Sequence, residues 1–373
     1  MAIKIIDEFI SKNIHLWFPS YIKGLLTPQE KVNHSIKDII FVIADHFEPF
    51  GDKNKDVIDL WEKEYPSFAD SFCDSDGYPP QHTWFFPIEL YDPKVVDKLS
   101  NLCKGGYGEI EIHLHHRDDS EESLRSQLRK GIENLSSHGA IKPQGKQYKS
   151  RFGFVHGDWA LNNSRKDGRY CGVNDELKIL REEGCYADFT LPSAPSETQT
   201  KKINSIYYAK SNFQNPKGHD SGIDVKVGGR EWGDLMIIQG PLTLNWKSRK
   251  NRIWPKIENS EISFTNPGTR ERIKLWEKNN IHVKGRPEWV FIKLHCHGGF
   301  RDQVDALIGG KGKLMHKYLQ EIYGDNSNYR LHYVTARECY NIIKATEAGE
   351  IGNPANFRNY IIPPPANRGR FRT

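Results

Sequence analysis

The chain has 373 residues, 37% of them hydrophobic and 27% charged, which supplies a sizeable core and excludes a disordered chain. Its formal charge of +5 is spread over interleaved acidic and basic residues, so nothing in the composition calls for a nucleic acid partner. Six widely spaced cysteines without a CxxC pair read as reduced thiols of a cytoplasmic protein, and the absence of a long apolar run argues against a transmembrane segment.

The first 26 residues carry apolar side chains at Ile3, Ile5, Ile6, Phe9, Ile10 and Ile14 but are interrupted by Asp7, Glu8, Lys12 and Pro19, unlike a signal peptide. They predict a helix packed on the body of the protein, with a membrane- or partner-touching amphipathic helix as the alternative. Strand-length apolar runs follow at Ile39–Asp45, Thr83–Glu89, Glu109–His115, Arg151–Asp158, Ala187–Pro192, Trp289–His297 and Tyr329–Thr335. Between and after them lie helical patterns at Val57–Cys73, Pro93–Cys103, Ser120–Ser137, Asn174–Glu183, Thr269–Asn279, Leu314–Tyr323 and Ala336–Ala348. Such alternation predicts an α/β fold in one domain over residues 1–373, a seven-stranded parallel (β/α) barrel, with an open doubly wound sheet as the alternative. No Gly-rich dinucleotide fingerprint follows the first strand. The pattern breaks over residues 196–266, where Ile223–Val227, Leu235–Gln239 and Leu242–Trp246 predict a β-rich insertion, and residues 359–373 read as an extended or mobile tail.

Of the 15 histidines, His46, His113, His115, His116, His156, His295 and His297 fall at the C-terminal ends of four predicted strands, the face where α/β barrels carry their active sites. Alternation along the third strand places Glu109, Glu111, His113 and His115 on one face, opposite Ile110, Ile112 and Leu114. The sixth repeats this, with Phe291, Lys293, His295 and His297 opposite Val290, Ile292 and Leu294, and with the thiol of Cys296 on that second face as a buried structural group. Two imidazoles at i and i+2 on a strand tip can share one divalent cation, Zn²⁺ foremost, and Asp45, Glu48 and Asp158 are carboxylates within the same set of strand ends.

The segments ADHFEP on the first strand, EIEIHLHH on the third and IKLHCHGG on a late strand resemble those of the polysaccharide deacetylase superfamily. The resemblance implies a metal-dependent hydrolase that removes an acyl group, acetyl above all, from a polysaccharide or oligosaccharide. It implies Asp45 as metal ligand, or as base with His46 in the ligand position, and His113 with His115 or His116 as further ligands. It also implies His295 or His297 as the acid, with Asp158, Glu48 or Asp45 accepting the water's proton. The family's second histidine, four residues after the first, is here Arg117, and its fourth-strand motif is here FVHGDWALNN, which leaves Arg117, His156 and Trp159 to meet the substrate. Trp84, Trp159, Trp232, Trp246 and Trp254 are candidate platforms for sugar rings. A glycosidase on the same barrel, or a barrel that binds glycan or a partner without turnover, are the alternatives; the oligomeric state stays open.

Overall fold

Apolar runs with no polar face need cover on both sides of a sheet. The computed structural model describes residues 2–28, 30, 36–54, 56–142, 150–250, 254–325 and 327–369 and shows a mixed α/β protein with a largely parallel central sheet. Helices α1 (Ala2–Ser11) and α2 (Ile14–Leu26) lead into β1 (Lys37–His46), α3 (Val57–Ala69), β2 (His82–Pro87), α4 (Pro93–Lys104), β3 (Gly108–Leu114), α5 (Glu121–Ser137), β4 (Phe152–His156), α6 (Glu176–Glu183) and β5 (Cys185–Asp188). From β1 to β5 the alternation is the one the sequence predicts. Then come β6 (Ile206–Ala209), β7 (Ile223–Asp224), β8 (Leu235–Ile238), β9 (Thr243–Lys250), β10 (Trp254–Glu258), α7 (Arg270–Lys278), β11 (Trp289–Cys296), α8 (Val304–Leu307), α9 (Gly310–Tyr323), β12 (Tyr329–Tyr333) and α10 (Ala336–Glu347).

The predicted closure into a barrel is not found. The ten-stranded sheet runs β11-β1-β2-β3-β4-β5-β8-β6-β7, with β12 also paired to β1, and no ladder among the described residues joins β11 to β5 or β8. The outer edge of β11 is taken by irregular backbone: Phe291 N–H donates to Ile281 O (2.8 Å), His295 N–H to Ser260 O (3.1 Å), and His295 O accepts from Ile262 N–H (2.8 Å). Those bonds satisfy the edge groups that closure would have used. Part of the predicted insertion belongs to the sheet itself, because β8 lies parallel to β5 and antiparallel to β6, whereas β9 and β10 form a separate hairpin-like pair.

Strand β1 shows how the site is positioned. Its first half, Lys37–Phe41, pairs with β12, and only its tip, Ala44–His46, pairs with the start of β2. Strand β2 is therefore displaced upward, and its first residue, His82, sits beside the end of β1. Side chains of β1 alternate between two cores: Ile39, Phe41 and Ile43 join the outer one with Trp61 of α3, and Ile40, Val42 and Ala44 the inner one with α10. The same alternation puts Ile110, Ile112 and Leu114 of β3 against Leu124 and Leu128 of α5, as predicted.

Helix α10 is buried along its whole length on the inner face, opened by a capping box between Thr335 and Glu338. Its charges are paired: Arg337 Nη2 donates to Glu109 Oε1 (2.7 Å), and Arg358 Nη1 donates to Glu338 Oε2 (3.0 Å). Pairing of this kind is required of ions removed from water. The C-terminal segment, as far as Gly369, runs through irregular backbone and turns and is held in place. Ile362 O accepts from Arg337 Nη1 (2.7 Å), Asn367 N–H donates to Gly139 O (3.0 Å) and Gly369 N–H to Cys103 O (3.0 Å). Helix α2 packs through Ile14, Trp17 and Tyr21 on Ala194, Leu242 and Leu244, the packed reading of the N-terminus; the side chains of Ile3, Ile5 and Ile6 lie outside the described residues. No described helix is long and apolar enough to cross a membrane, and all six cysteines are free.

Glu111, on the inner face of β3, accepts from Tyr186 Oη (2.5 Å) and Gly153 N–H (2.5 Å), yet burial pushes its pKa up from 4.5 to about 8. The unfolded chain releases this proton first as pH rises. Stability present below pH 4.5 is therefore lost progressively up to about pH 8, with a slope on the order of 1.4 kcal/mol for every tenfold fall in proton concentration. Glu111→Gln removes that component. Thermal melts from pH 4.5 to 8 are expected to show a shallower decline for the variant, and parallel curves would contradict a neutral Glu111.

Candidate metal centre

The inward-facing side chains at the tips of β1, β3 and β11 converge above α10. His46 is the last residue of β1, and its ring centroid lies 5.3 Å from that of His113, 5.9 Å from His295 and 5.0 Å from His297. Glu48 closes the ring: its Oε1 lies 2.8 Å from His113 Nε2 and 3.4 Å from His115 Nε2. Two overlapping sets, His46–Glu48–His297 and Glu48–His113–His115, each bring their ligand atoms within 4.8 Å of one another. Glu48, His115 and His297 are partly exposed, so this mouth opens to solvent.

Hydrogen bonding fixes the rings. His113 Nδ1 donates to Val155 O (2.8 Å), which turns Nε2 toward Glu48. A ring nitrogen held by a carbonyl while the other faces the cluster is the usual arrangement of a metal-bound histidine. His46 Nε2 and His295 Nδ1 are buried without a hydrogen-bond partner. Burial, then the neighbouring His297 and His113, drives His46 well below the usual histidine range; burial and Lys293 do the same for His295. Both rings are therefore neutral and offer lone pairs. Burial opposes the Glu48 carboxylate, but the imidazoles of His113 and His115 beside it outweigh this and hold its pKa well below the carboxylate range. A buried, unpartnered imidazole nitrogen facing further imidazoles and an ionised carboxylate fits a divalent cation.

His115 stands at the rim of the mouth, partly exposed. Its Nδ1 lies 2.6 Å from Glu89 Oε1; burial lowers its pKa, but Glu48 and Glu89 raise it to about 10, which leaves a proton on each ring nitrogen. Trp159 borders His46 (6.0 Å between centroids) and His297 (5.9 Å).

Other predicted site residues are placed elsewhere. Asp45 follows Ile43 in parity and points to the outer face, where Oδ1 accepts from Gly298 N–H (2.6 Å) and Oδ2 meets His82 Nε2 (2.8 Å). Cys296 joins it there, on the face the alternation predicts. Gly298 is required at this point, because a Cβ there would overlap Asp45 Oδ2. His116 and His156 face away from the mouth and meet Glu176 instead, since His156 follows Phe154 onto the outer face of β4. Asp158 is exposed, in a left-handed conformation (φ 54°). Arg117 is also exposed and stacks on Tyr170, 4.6 Å from its ring centroid. Trp84 is buried in the outer core, Trp232 and Trp246 are exposed, and the side chain of Trp254 lies outside the described residues.

Two buried groups near the strand tips, His82 on the outer face and Lys293 under the mouth, were not singled out in the sequence. His82 lies at the start of a strand, where nothing local signals that β2 is displaced upward to meet Asp45. Lys293 is fully buried beneath His295, with Nζ donating to Phe189 O (2.6 Å), and burial lowers its pKa to about 7. A charged residue between Phe291 and His295 on the inner face was its only signal.

The chain is thus a mixed α/β protein whose parallel strands end in a histidine-rich mouth. No family model matches it, and no curated protein matches it. Among solved structures it is similar to one described as a "putative polysaccharide deacetylase from Mycobacterium smegmatis", at 13% identity and a TM-score of 0.44, over 88% of this chain and 98% of that one.

Proposed function

We propose that the mouth binds one divalent cation, Zn²⁺ by preference, at Glu48, the residue common to both ligand sets, with His46 drawn from one set and His113 from the other, and that the chain hydrolyses an acyl group, acetyl first, on a carbohydrate. The observation that carries this reading is the buried His46 Nε2, unpartnered and surrounded by imidazoles beside the ionised Glu48. The low pKa of Glu48 suits a ligand better than a base. When bound, the cation would supply Lewis acidity toward an acyl carbonyl and a water.

His297 reaches the same point from the β11 tip and is partly open to solvent, so it can take the proton of the attacking water and deliver it to the leaving alcohol or amine. Trp159 offers an apolar wall beside His46 and His297 for a sugar ring.

The test is product analysis. The zinc-loaded chain incubated with N- and O-acetylated oligosaccharides is expected to release acetate without new reducing ends. Reducing ends without acetate would replace this reading by a glycosidase, and bound metal without either product by a non-catalytic carbohydrate binder. Trp159→Ala is expected to raise KM by roughly tenfold, the equivalent of about 1.4 kcal/mol, with kcat changed much less. An unchanged KM would remove Trp159 from the substrate site.

A further inference from the structure

Behind the mouth, on the outer side of β4, four chain segments bring together His116, His156, Cys171 and Glu176. Their ligand atoms lie within 4.8 Å of one another, and the residues are 5%, 0%, 1% and 0% exposed. Glu176 Oε1 lies 3.0 Å from His116 Nε2 and 3.3 Å from His156 Nε2, and Glu176 Oε2 lies 3.6 Å from Cys171 Sγ. Donor atoms on one tetrahedral zinc ion, at ligand distances of about 2.0–2.3 Å, stand about 3.3–3.8 Å apart. The observed spacings are close to that.

Protonation makes the case sharper. His156 Nδ1 lies 2.5 Å from Gly157 O, and a carbonyl only accepts, so Nδ1 carries the hydrogen. In the neutral ring Nε2 is then a bare lone pair facing a carboxylate oxygen, and it has no hydrogen-bond partner. Two lone pairs opposed in a dry interior are unfavourable unless a proton or a metal cation stands between them. His116 Nδ1 lies 3.2 Å from Asp119 Oδ2, an ion-pair distance without hydrogen-bond geometry. Cys171 Sγ accepts from Val173 N–H (3.4 Å) and Glu176 Oε2 from Asn162 N–H (2.5 Å). Carbonyl and amide groups that orient imidazole, thiolate and carboxylate donors are what a metal's outer shell provides.

We infer that His116, His156, Cys171 and Glu176 form a second, structural metal site that takes a thiophilic divalent ion, Zn²⁺ or Co²⁺. It differs from the mouth in being closed to solvent on all sides and in having a thiolate ligand, the features of structural rather than catalytic zinc. The ion would tie the turn after β3, the tip of β4, the loop carrying Cys171 and the first turn of α6 to one point. It would thereby steady Trp159 and Val155 O, the carbonyl that orients His113.

Cobalt reports the two sites separately, because only this one has a sulfur ligand. The full chain, stripped of metal and titrated with Co²⁺, is expected to develop a near-ultraviolet thiolate-to-cobalt charge-transfer band. His113→Ala should keep the band, whether or not the mouth binds metal, and Cys171→Ser should lose it along with one equivalent of bound ion. No band in the wild type, or a band that survives Cys171→Ser, would overturn the site. Should Cys171→Ser fail to fold, alkylation of the wild type with mass mapping decides: Cys171 is expected to be protected with metal bound and modified after chelation. Equal modification in both states would overturn it as well.

Discussion

Asp45→Ala is expected to destabilise the protein by about 3–5 kcal/mol, because it leaves a buried histidine and a buried amide without their acceptor. Asp45 is fully buried and accepts from Gly298 N–H on one oxygen and meets His82 on the other, so it ties together β1, β2 and the loop after β11. The melting temperature should fall by about 4–6 °C, because an unfolding entropy of about 2.1 cal/mol/K per residue over 373 residues makes each kcal/mol worth about 1.3 °C. Protein that remains folded should keep its metal, since the carboxylate points away from His46 and His113. Elemental analysis and thermal melts of the same sample separate the two roles. Loss of metal with an unchanged melting temperature would make Asp45 a ligand and overturn its assignment as a structural clamp.

His46→Ala and His113→Ala are expected to show the opposite pattern. Each removes one of roughly three protein ligands of an open site, so the mouth's equivalent of metal should be lost. Hydrolytic activity should fall by more than about 100-fold, since even changes to groups that only orient ligands cost 10–100-fold. The fold should survive. His46 Nε2 has no partner to leave stranded, His113→Ala leaves only the Val155 carbonyl without its donor at a cost of about 1–3 kcal/mol, and the apolar faces that hold the helices are untouched. Metal content by elemental analysis, set beside the far-ultraviolet circular dichroism of each variant, checks this. Variants that keep the full metal complement would place the ion elsewhere, and variants that unfold would mark these histidines as structural.

The difference between the two groups of residues also shows what could be read from the chain alone. Strands β3 and β11 alternate visibly between charged or polar and aliphatic residues, so parity assigned His113 and His295 to one face and Cys296 to the other, as found. Strand β1 reads IIFVIA and β4 reads FGFVH, apolar on both faces, so neither sequence has a polar face from which to count. That is why Asp45 and His156 were grouped with residues from which the sheet separates them. His116 lies beyond the end of β3, where alternation no longer governs direction, so its turn away from the mouth is not legible by parity.

Other departures come from contacts distant in sequence. Closure of a barrel depends on what occupies the edge of β11, and here Ser260, Ile262 and Ile281 occupy it through backbone bonds that any sequence can make. The Pro-rich C-terminus looks unstructured by composition, yet Arg337 and Asn341 of the buried α10 need acceptors and find them at Arg358 and Ile362. Of the N-terminal apolar stripe, Ile14 is buried against the protein body with Phe9 packed beside it, whereas Ile10 is exposed.

Anomalous scattering at the zinc absorption edge, from crystals of the zinc-loaded chain, tests the metal centre most directly. A peak is expected inside the ring of His46, His113 and Glu48, at about 2.0–2.1 Å from the imidazole nitrogens. A mouth without a peak in zinc-loaded crystals, with the same side chains in the same places, would contradict a metal centre there.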